Sequence, residues 1–314
     1  MLRAMIPRFA AFIIPLLAAL FIAACGTGEV PVLVGQVSGE IPEGEKLYQE
    51  AKAADDAGKT SRAIKLYDRT ATRYPFIGAA AQARFRQAQL LEQEREPRKA
   101  SEAYDKMLAQ YPGDPLYPRA LERLSTIAND AAEGNIQSRF LGIKRPISLD
   151  QTVEMLGRVK DHAPRSRTAA KAQFKVGELY QSKKKFKEAI AAFRDLVREQ
   201  PESPEAPEAL FRVGVIHLEQ ADRGNQNQST LDLANEAFND YLIQYPGHPR
   251  NAEARKMISS LRGMALDRSM EIAEFYMKTG RTESAKIYYR DIVRKSSSGK
   301  LHDAAMARLK ELGE

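Results

Sequence analysis

The sequence predicts an all-α solenoid of about six helix-turn-helix repeats, closed by a C-terminal helix. Three observations carry that prediction. Proline recurs at 75, 112, 164, 201 and 246, at intervals of 37, 52, 37 and 45, so the base period is 37 with inserts of 15 and 8 residues. Upstream of four of these prolines a small and a large residue sit one helical turn apart: Ala63 and Tyr67, Ala100 and Tyr104, Ala189 and Phe193, Ala234 and Phe238. Thirteen residues after a proline come Ala88, Ser125, Gly177 and Gly214, each small enough to let two paired helices approach closely, with the alanine of the second helix packed against it.

Each element follows from local chemistry. Arg3 and Arg8 precede a run without charge from Phe9 to Ala24, which ends on Ala23-Ala24-Cys25. That is the layout of a secretory leader over 1–24, shorter than the ~20 apolar residues a membrane span requires. Ile22-Ala23-Ala24-Cys25-Gly26 resembles a bacterial lipobox, in which the cysteine thiol takes a diacylglycerol and the new N-terminus an acyl chain. Cys25 is the only cysteine, so neither an intramolecular disulfide nor a cysteine-rich metal site can form, and lipidation explains its place. Acyl chains contribute ~0.8 kcal/mol per buried CH₂, and more than one chain gives stable anchoring. No other cofactor is expected. Gly26 stands where an aspartate would signal inner-membrane retention in enteric bacteria, which favours the periplasmic face of the outer membrane. Residues 25–43, rich in Gly, Pro and Val without a helical period, read as a flexible tether reaching about 25 Å.

Repeats are expected over 44–314. Proline ends each helix because it lacks an N–H and disfavours α geometry in the residue before it. Gly58 and Gly280 supply turns in the first and last copies. Ala285 and Tyr289 mark a sixth copy with Ser297 in place of the proline, behind a long helix from about Asn251 to Lys278 that is expected to bend at Gly263. A terminal helix over Leu301–Leu312 would cap the open end. The inserts, Gly134–Pro146 and Gly224–Thr230, are expected to be mobile loops.

Composition agrees with a folded body: 43% of residues are apolar and 28% charged. The net charge of +7 includes two arginines of the leader, an excess too mild and dispersed to demand a nucleic-acid partner. Catalytic signals are absent. Gly58-Lys59-Thr60 ends like a phosphate loop, but the first glycine of that motif would fall at Ala53, inside a helix. His162, His217, His248 and His302 lack metal-ligand spacing, and no GxSxG, HExxH or GxGxxG occurs, so an enzyme is not expected. Lys183, Lys184, Lys185 and Lys187 form a charge run at a predicted turn and read as a solvated tip.

The small-large-small pattern Gly177…Tyr180…Ala189…Phe193…Pro201 resembles the tetratricopeptide repeat, which implies a right-handed superhelix with concave and convex faces. Tyr48, Phe85, Phe174, Phe211 and Met270 occupy equivalent places in their first helices. They either line the concave face as a stripe for a peptide, flanked by Lys171, Glu178, Gln181 and Arg119, or form core between paired helices; spacing alone does not fix the rotation.

The stretch Leu266 to Gly280, containing Glu271-Ile272-Ala273-Glu274-Phe275-Tyr276, is similar to the last repeat of the BamD (YfiO) outer-membrane assembly lipoproteins, as is the preceding Ala234-Asn235-Glu236-Ala237-Phe238 with Tyr245-Pro246. That resemblance implies a non-enzymatic, lipid-anchored scaffold for assembling β-barrel outer-membrane proteins. Its C-terminal repeats would dock a barrel-forming subunit, with Glu271, Tyr276, Arg281 and Arg290 as partner-face candidates. Tyr48 and Phe85 would receive unfolded outer-membrane protein segments. The segment Glu208 to Val215 also resembles the periplasmic CpoB (YbgF) repeats, which implies as the alternative an adaptor of envelope or peptidoglycan machinery.

Overall fold

The computed structural model describes residues 42–140, 143–223 and 228–314, which form thirteen helices and one short hairpin. The leader, Cys25 and the tether up to residue 41 lie outside the described residues. Six helix pairs are arranged in chain order: α1 (Pro42–Asp56) with α2 (Thr60–Arg73), α3 (Ala80–Gln93) with α4 (Pro97–Gln110), α5 (Tyr117–Ala132) with α6 (Leu149–His162), α7 (Arg167–Ser182) with α8 (Phe186–Glu199), α9 (Ala206–Arg223) with α10 (Gln228–Gln244), and α11 (Asn251–Lys278) with α12 (Thr282–Lys295). The cap is α13 (Lys300–Glu311). Each helix packs on its neighbours in sequence, and α5, α7 and α9 touch in succession, so the chain is an all-α tetratricopeptide-type solenoid.

Proline sets the repeat ends as expected. Tyr74, Tyr111, Ala163 and Gln200, each just before a proline, have φ of −128°, −130°, −138° and −141° and ψ of 59°, 59°, 56° and 62°, off the helical region. The N–H groups of Ile77, Asp114, Ser166, Ser203 and His248 then donate to the carbonyls of Tyr74, Tyr111, Ala163, Gln200 and Tyr245, one turn geometry repeated five times. Without a proline, Ser296 is extended and Gly299 takes φ +110° ahead of α13.

The turns inside the pairs need a left-handed residue. Gly58 and Gly280 supply it, and Arg95 and Lys184 adopt the same geometry at φ +59° and +58° despite their side chains. In all four, the next N–H donates to a carbonyl five residues back, for example Lys59 to Ala54 and Lys185 to Tyr180.

Close approach is real, but its partner differs from expectation. A Cβ on Gly177 would lie 2.4 Å from the ring of Phe193, and one on Gly214 would lie 2.7 Å from the ring of Phe238. The large residue of the second helix, not its alanine, fills the space the glycine leaves. In the third repeat Thr152 and Leu156, both buried, take the small and large places, so an aliphatic core replaces the ring there.

In the first insert the described residues pair as a hairpin where a loop is expected; residues 141–142, and 224–227 of the second insert, lie outside the described residues. Gln137–Phe140 (β1) pairs antiparallel with Ile143–Pro146 (β2), Gln137 opposite Pro146 and Phe140 opposite Ile143. In the second insert, Gln228 to Thr230 already belong to α10. The long helix α11 has the expected bounds and runs uninterrupted through Gly263.

A candidate protein-binding face on the first helices

The aromatic row lies at the seam inside each pair. Tyr48 meets Tyr67 at 6.0 Å between ring centroids, Phe85 meets Tyr104 at 5.6 Å, Phe174 meets Phe193 at 5.4 Å and Phe211 meets Phe238 at 5.2 Å. Met270 packs on the buried cluster that holds Tyr289. These are contacts within the helix pairs, and the buried Phe85 and Phe211 each stabilise their pair by roughly 1.5–3 kcal/mol.

Phe85 and Phe211 are buried, so no continuous exposed stripe of five exists. Helix rotation turns only Tyr48, Phe174 and Met270 part-way to solvent. Cations of the following repeat cover the other side of three rings. The guanidinium of Arg119 lies 5.4 Å from the Phe85 centroid, that of Arg212 lies 5.2 Å from Phe174, and that of Arg250 lies 3.6 Å from Phe211. Tyr48 instead donates its hydroxyl to Gln82 Oε1 at 3.1 Å.

Beside the row runs a second set of residues that the aromatic pattern did not reveal. The Tyr67 hydroxyl donates to Asp55, which also accepts from Arg86 Nε at 2.7 Å. The Tyr104 hydroxyl donates to Glu92 Oε1 at 2.6 Å, and Glu92 accepts from Arg123. Acid, tyrosine and arginine thus link a pair to the first helix of the next repeat. The Arg86 guanidinium holds the Asp55 carboxyl below its ordinary value against the opposing effect of burial, while burial, helped by the neighbouring acid, pushes the Tyr67 and Tyr104 hydroxyls up. The signal was in the sequence: Asp55 and Glu92, Tyr67 and Tyr104, Arg86 and Arg123 are each one base period of 37 apart.

Two recesses open along this face. One, of about 480 Å³, is lined by Tyr48, Lys52, Asp55, Gln82, Phe85 and Arg119 among others. The other, of about 430 Å³, is lined by Lys175, Glu178, Leu179, Gln181 and Arg212 with Ala132 and Ser182. Of the flanking polar residues expected there, Glu178, Gln181 and Arg119 take part and Lys171 stands exposed. Among the described residues no group of three His, Cys, Asp or Glu side chains could hold a metal ion, and no helix is long and apolar enough to cross a membrane.

At the C-terminal end the partner-face candidates are only partly gathered. Tyr276 is half-buried and stacks on Tyr288 at 5.7 Å and 24°, with exposed Phe275 at 5.7 Å from Tyr276. Arg281 is exposed in the adjoining turn, its N–H donating to the Tyr276 carbonyl at 2.9 Å. Glu271 is exposed and paired with Arg268, and Arg290 is held by the carboxylate of Glu314. Phe275, Ile287 and, in the cap, Met306, 59%, 62% and 49% exposed, are apolar groups of this end that spacing did not single out.

The chain is similar to several known proteins. A tetratricopeptide repeat profile matches residues 48–115. The outer membrane protein assembly factor BamD of Caulobacter vibrioides (strain ATCC 19089 / CIP 103742 / CB 15) is 22% identical over 162 residues, 52% of this chain and 53% of that protein, so the chain spans about half the length of the curated relative it matches. Among solved structures, the P58(IPK) TPR domain is 14% identical with a TM-score of 0.35, covering 85% of this chain and 77% of that one. YrrB, described as a TPR protein with an unusual peptide-binding site, is 16% identical with a TM-score of 0.30, covering 70% and 93%. The YfiO profile, described as outer membrane lipoprotein, matches residues 147–311, from just before α6 to the end of the cap, and with more than half of the chain inside that match the protein belongs to the YfiO family.

Proposed function

We propose that the protein is a lipid-anchored subunit that assists assembly of β-barrel outer-membrane proteins from the periplasmic face of the outer membrane. In this reading Cys25 carries the anchor, the C-terminal repeats dock a barrel-forming subunit, and the first-helix face near Tyr48 receives unfolded segments. It binds polypeptides and turns nothing over. The carrying observation is the YfiO match over 147–311, which covers the repeats that present Phe275, Ile287 and the Tyr276–Tyr288 stack. Exposed apolar and aromatic groups beside a polar rim suit a protein interface, where such side chains supply most of the binding energy. The same match favours this reading over an envelope adaptor of the CpoB type.

Crosslinking followed by co-purification tests the division of labour. Phe275→Asp with Ile287→Asp should lower recovery of the barrel-forming subunit about tenfold or more while Tyr48→Ala leaves it unchanged. Full recovery with the double variant would remove the C-terminal docking role. Palmitate labelling and membrane fractionation test the anchor: Cys25→Ser should abolish the label and move the protein to the soluble fraction.

A further inference from the structure

We infer that the exposed face of α2, with Phe76 at its end, is a membrane-contact surface that lays the first repeat on a bilayer rich in anionic phospholipid headgroups. This deepens the anchored reading above, because that reading explains why the first repeat lies near a bilayer.

Lys59, Arg62, Lys65, Arg69 and Arg73 are all exposed, and their spacing of three or four residues puts them on one side of the helix. None of them forms an ion pair among the described residues. The single acid of α2, Asp68, points its charge at Arg84 of α3 at 2.5 Å. Lys65, Arg69 and Arg73, with Thr72 and that Asp68, line a shallow recess of about 350 Å³. Other second helices neutralise themselves. Arg98 pairs with Glu102 on α4, Arg158 with Glu154 on α6, and Arg294 and Lys295 with Asp291 on α12. A row of like charges three and four apart opposes its own helix unless counter-charge comes from outside.

Two further observations select a bilayer as the source of that charge. Phe76, three residues beyond Arg73, is 42% exposed, an apolar ring beside the cations. The chain also enters the fold at this end, since a Cβ on Gly44 would lie 2.8 Å from Tyr74 and 3.1 Å from Ile77, on either side of Phe76 in the turn. The described chain therefore begins, at Pro42, close to the turn that carries Phe76. Cations attracted to headgroups and an exposed apolar ring, on a chain that also carries an acyl anchor, are the combination that holds a protein against a membrane surface. An acidic protein partner would use the cations but gives no reason for the ring or for the entry point of the chain.

The test uses Cys25→Ser protein from the soluble fraction, so that no acyl chain contributes. It should co-sediment with phosphatidylcholine vesicles containing about one third phosphatidylglycerol about tenfold better than with phosphatidylcholine alone, and raised salt should remove the difference. Arg62→Glu/Lys65→Glu/Arg69→Glu should lose the preference, whereas Arg294→Glu/Lys295→Glu should keep it. Because the chain has no tryptophan, Phe76→Trp gives a single reporter whose emission should shift to the blue on adding the anionic vesicles. Equal binding to both vesicle types, no binding, equal loss in the two charge-reversal variants, or an unshifted Phe76→Trp emission would each overturn the inference. If the triple variant fails to fold, Arg69→Gln/Phe76→Ser decides in its place. Palmitate labelling of the unmodified chain reads the anchor separately, so failure of one reading is distinguishable from failure of the other.

Discussion

Adding one methyl to a glycine should have opposite effects on stability at two places in this solenoid. At Gly177 an added Cβ would lie 2.4, 2.6 and 2.7 Å from three ring carbons of Phe193. Carbon atoms in ordinary contact stand about 3.5–4.0 Å apart, so the ring or α7 must retreat by about 1 Å. Phe193 is fully buried in a cluster with Leu196, Ala209 and Leu210, so retreat pushes on the next repeat. Overpacking of this kind costs roughly 1–3 kcal/mol, here at the upper end, and the better helix propensity of alanine returns about 1 kcal/mol. Gly177→Ala should therefore lose about 2 kcal/mol. At Gly263, within α11, no atom lies within 4 Å of an added Cβ, so only the propensity acts and Gly263→Ala should gain about 0.5–1 kcal/mol. Urea unfolding followed by far-ultraviolet circular dichroism reads both. Phe193→Leu in the Gly177→Ala background should cost less than in the parent, because the smaller side chain relieves the clash. A Gly177→Ala protein as stable as the parent, or strictly additive losses in the double variant, would refute the ring-in-glycine packing.

Lys184 holds a left-handed turn at φ +58° that costs a residue with a Cβ about 1 kcal/mol or more, so Lys184→Gly should raise the melting temperature by a few degrees while Gly58→Ala lowers it. Glu92→Gln weakens the acceptor of both the Tyr104 hydroxyl and Arg123, and should cost about 1–3 kcal/mol in urea titration, less in a Tyr104→Phe background. Because the Asp55 carboxyl sits below its ordinary value of 3.8 in the folded chain, its stabilising effect is complete above that value and is lost as pH falls through the lower folded one. Asp55→Asn should therefore be the less stable protein near neutrality, and the gap between it and the parent should close as pH falls, as measured by denaturation at pH values from about 6 down to about 2.

How far the architecture was legible depends on which residues carried the period. Proline and the small-large pairs obey rules of steric exclusion that act within a few residues, and they gave helix ends and pairing correctly, including α11 from Asn251 to Lys278. The third repeat escaped because Thr152 and Leu156 fill the same volumes with different chemistry. Rotation of the helices was not legible. Tyr48 and Phe85 hold equivalent sequence places, yet one is half-exposed and the other buried, since Arg119 of the next repeat covers Phe85 while Gln82 meets the Tyr48 hydroxyl. Contacts between repeats set that difference, and spacing within a repeat does not contain them.

The choice between tyrosine and phenylalanine in the second helices depends on the same contacts. A buried phenol without an acceptor costs free energy, so a nearby acceptor favours tyrosine over phenylalanine. Tyr67 and Tyr104 have Asp55 and Glu92 twelve residues earlier, and Tyr289 reaches Glu274, which also faces Arg308 of the cap at 3.6 Å. Phe193 has Gln181 at the corresponding place, and Phe238 has Leu218 once the eight-residue insert is allowed for; neither position carries a carboxylate. At this place in the second helix tyrosine thus occurs where an acid is available to accept, and the acid in turn draws an arginine from the next repeat or the cap, whereas Tyr241, one turn further along α10 than Phe238, meets His248. Each such trio ties one helix pair to its C-terminal neighbour, so in these repeats the polar links between units are fixed by the residue that closes the core within a unit. In the repeats with phenylalanine the arginine of the next repeat lies over the first-helix ring and pairs with an acid of that same helix, Arg212 on Phe174 with Glu178 and Arg250 on Phe211 with Glu208, and Arg119 lies over Phe85 in the second repeat too. The first-helix face is consequently a mosaic of guanidinium groups over aromatic rings, while exposed aromatic rings stand towards the two ends of the described chain, at Phe76 and at Phe275.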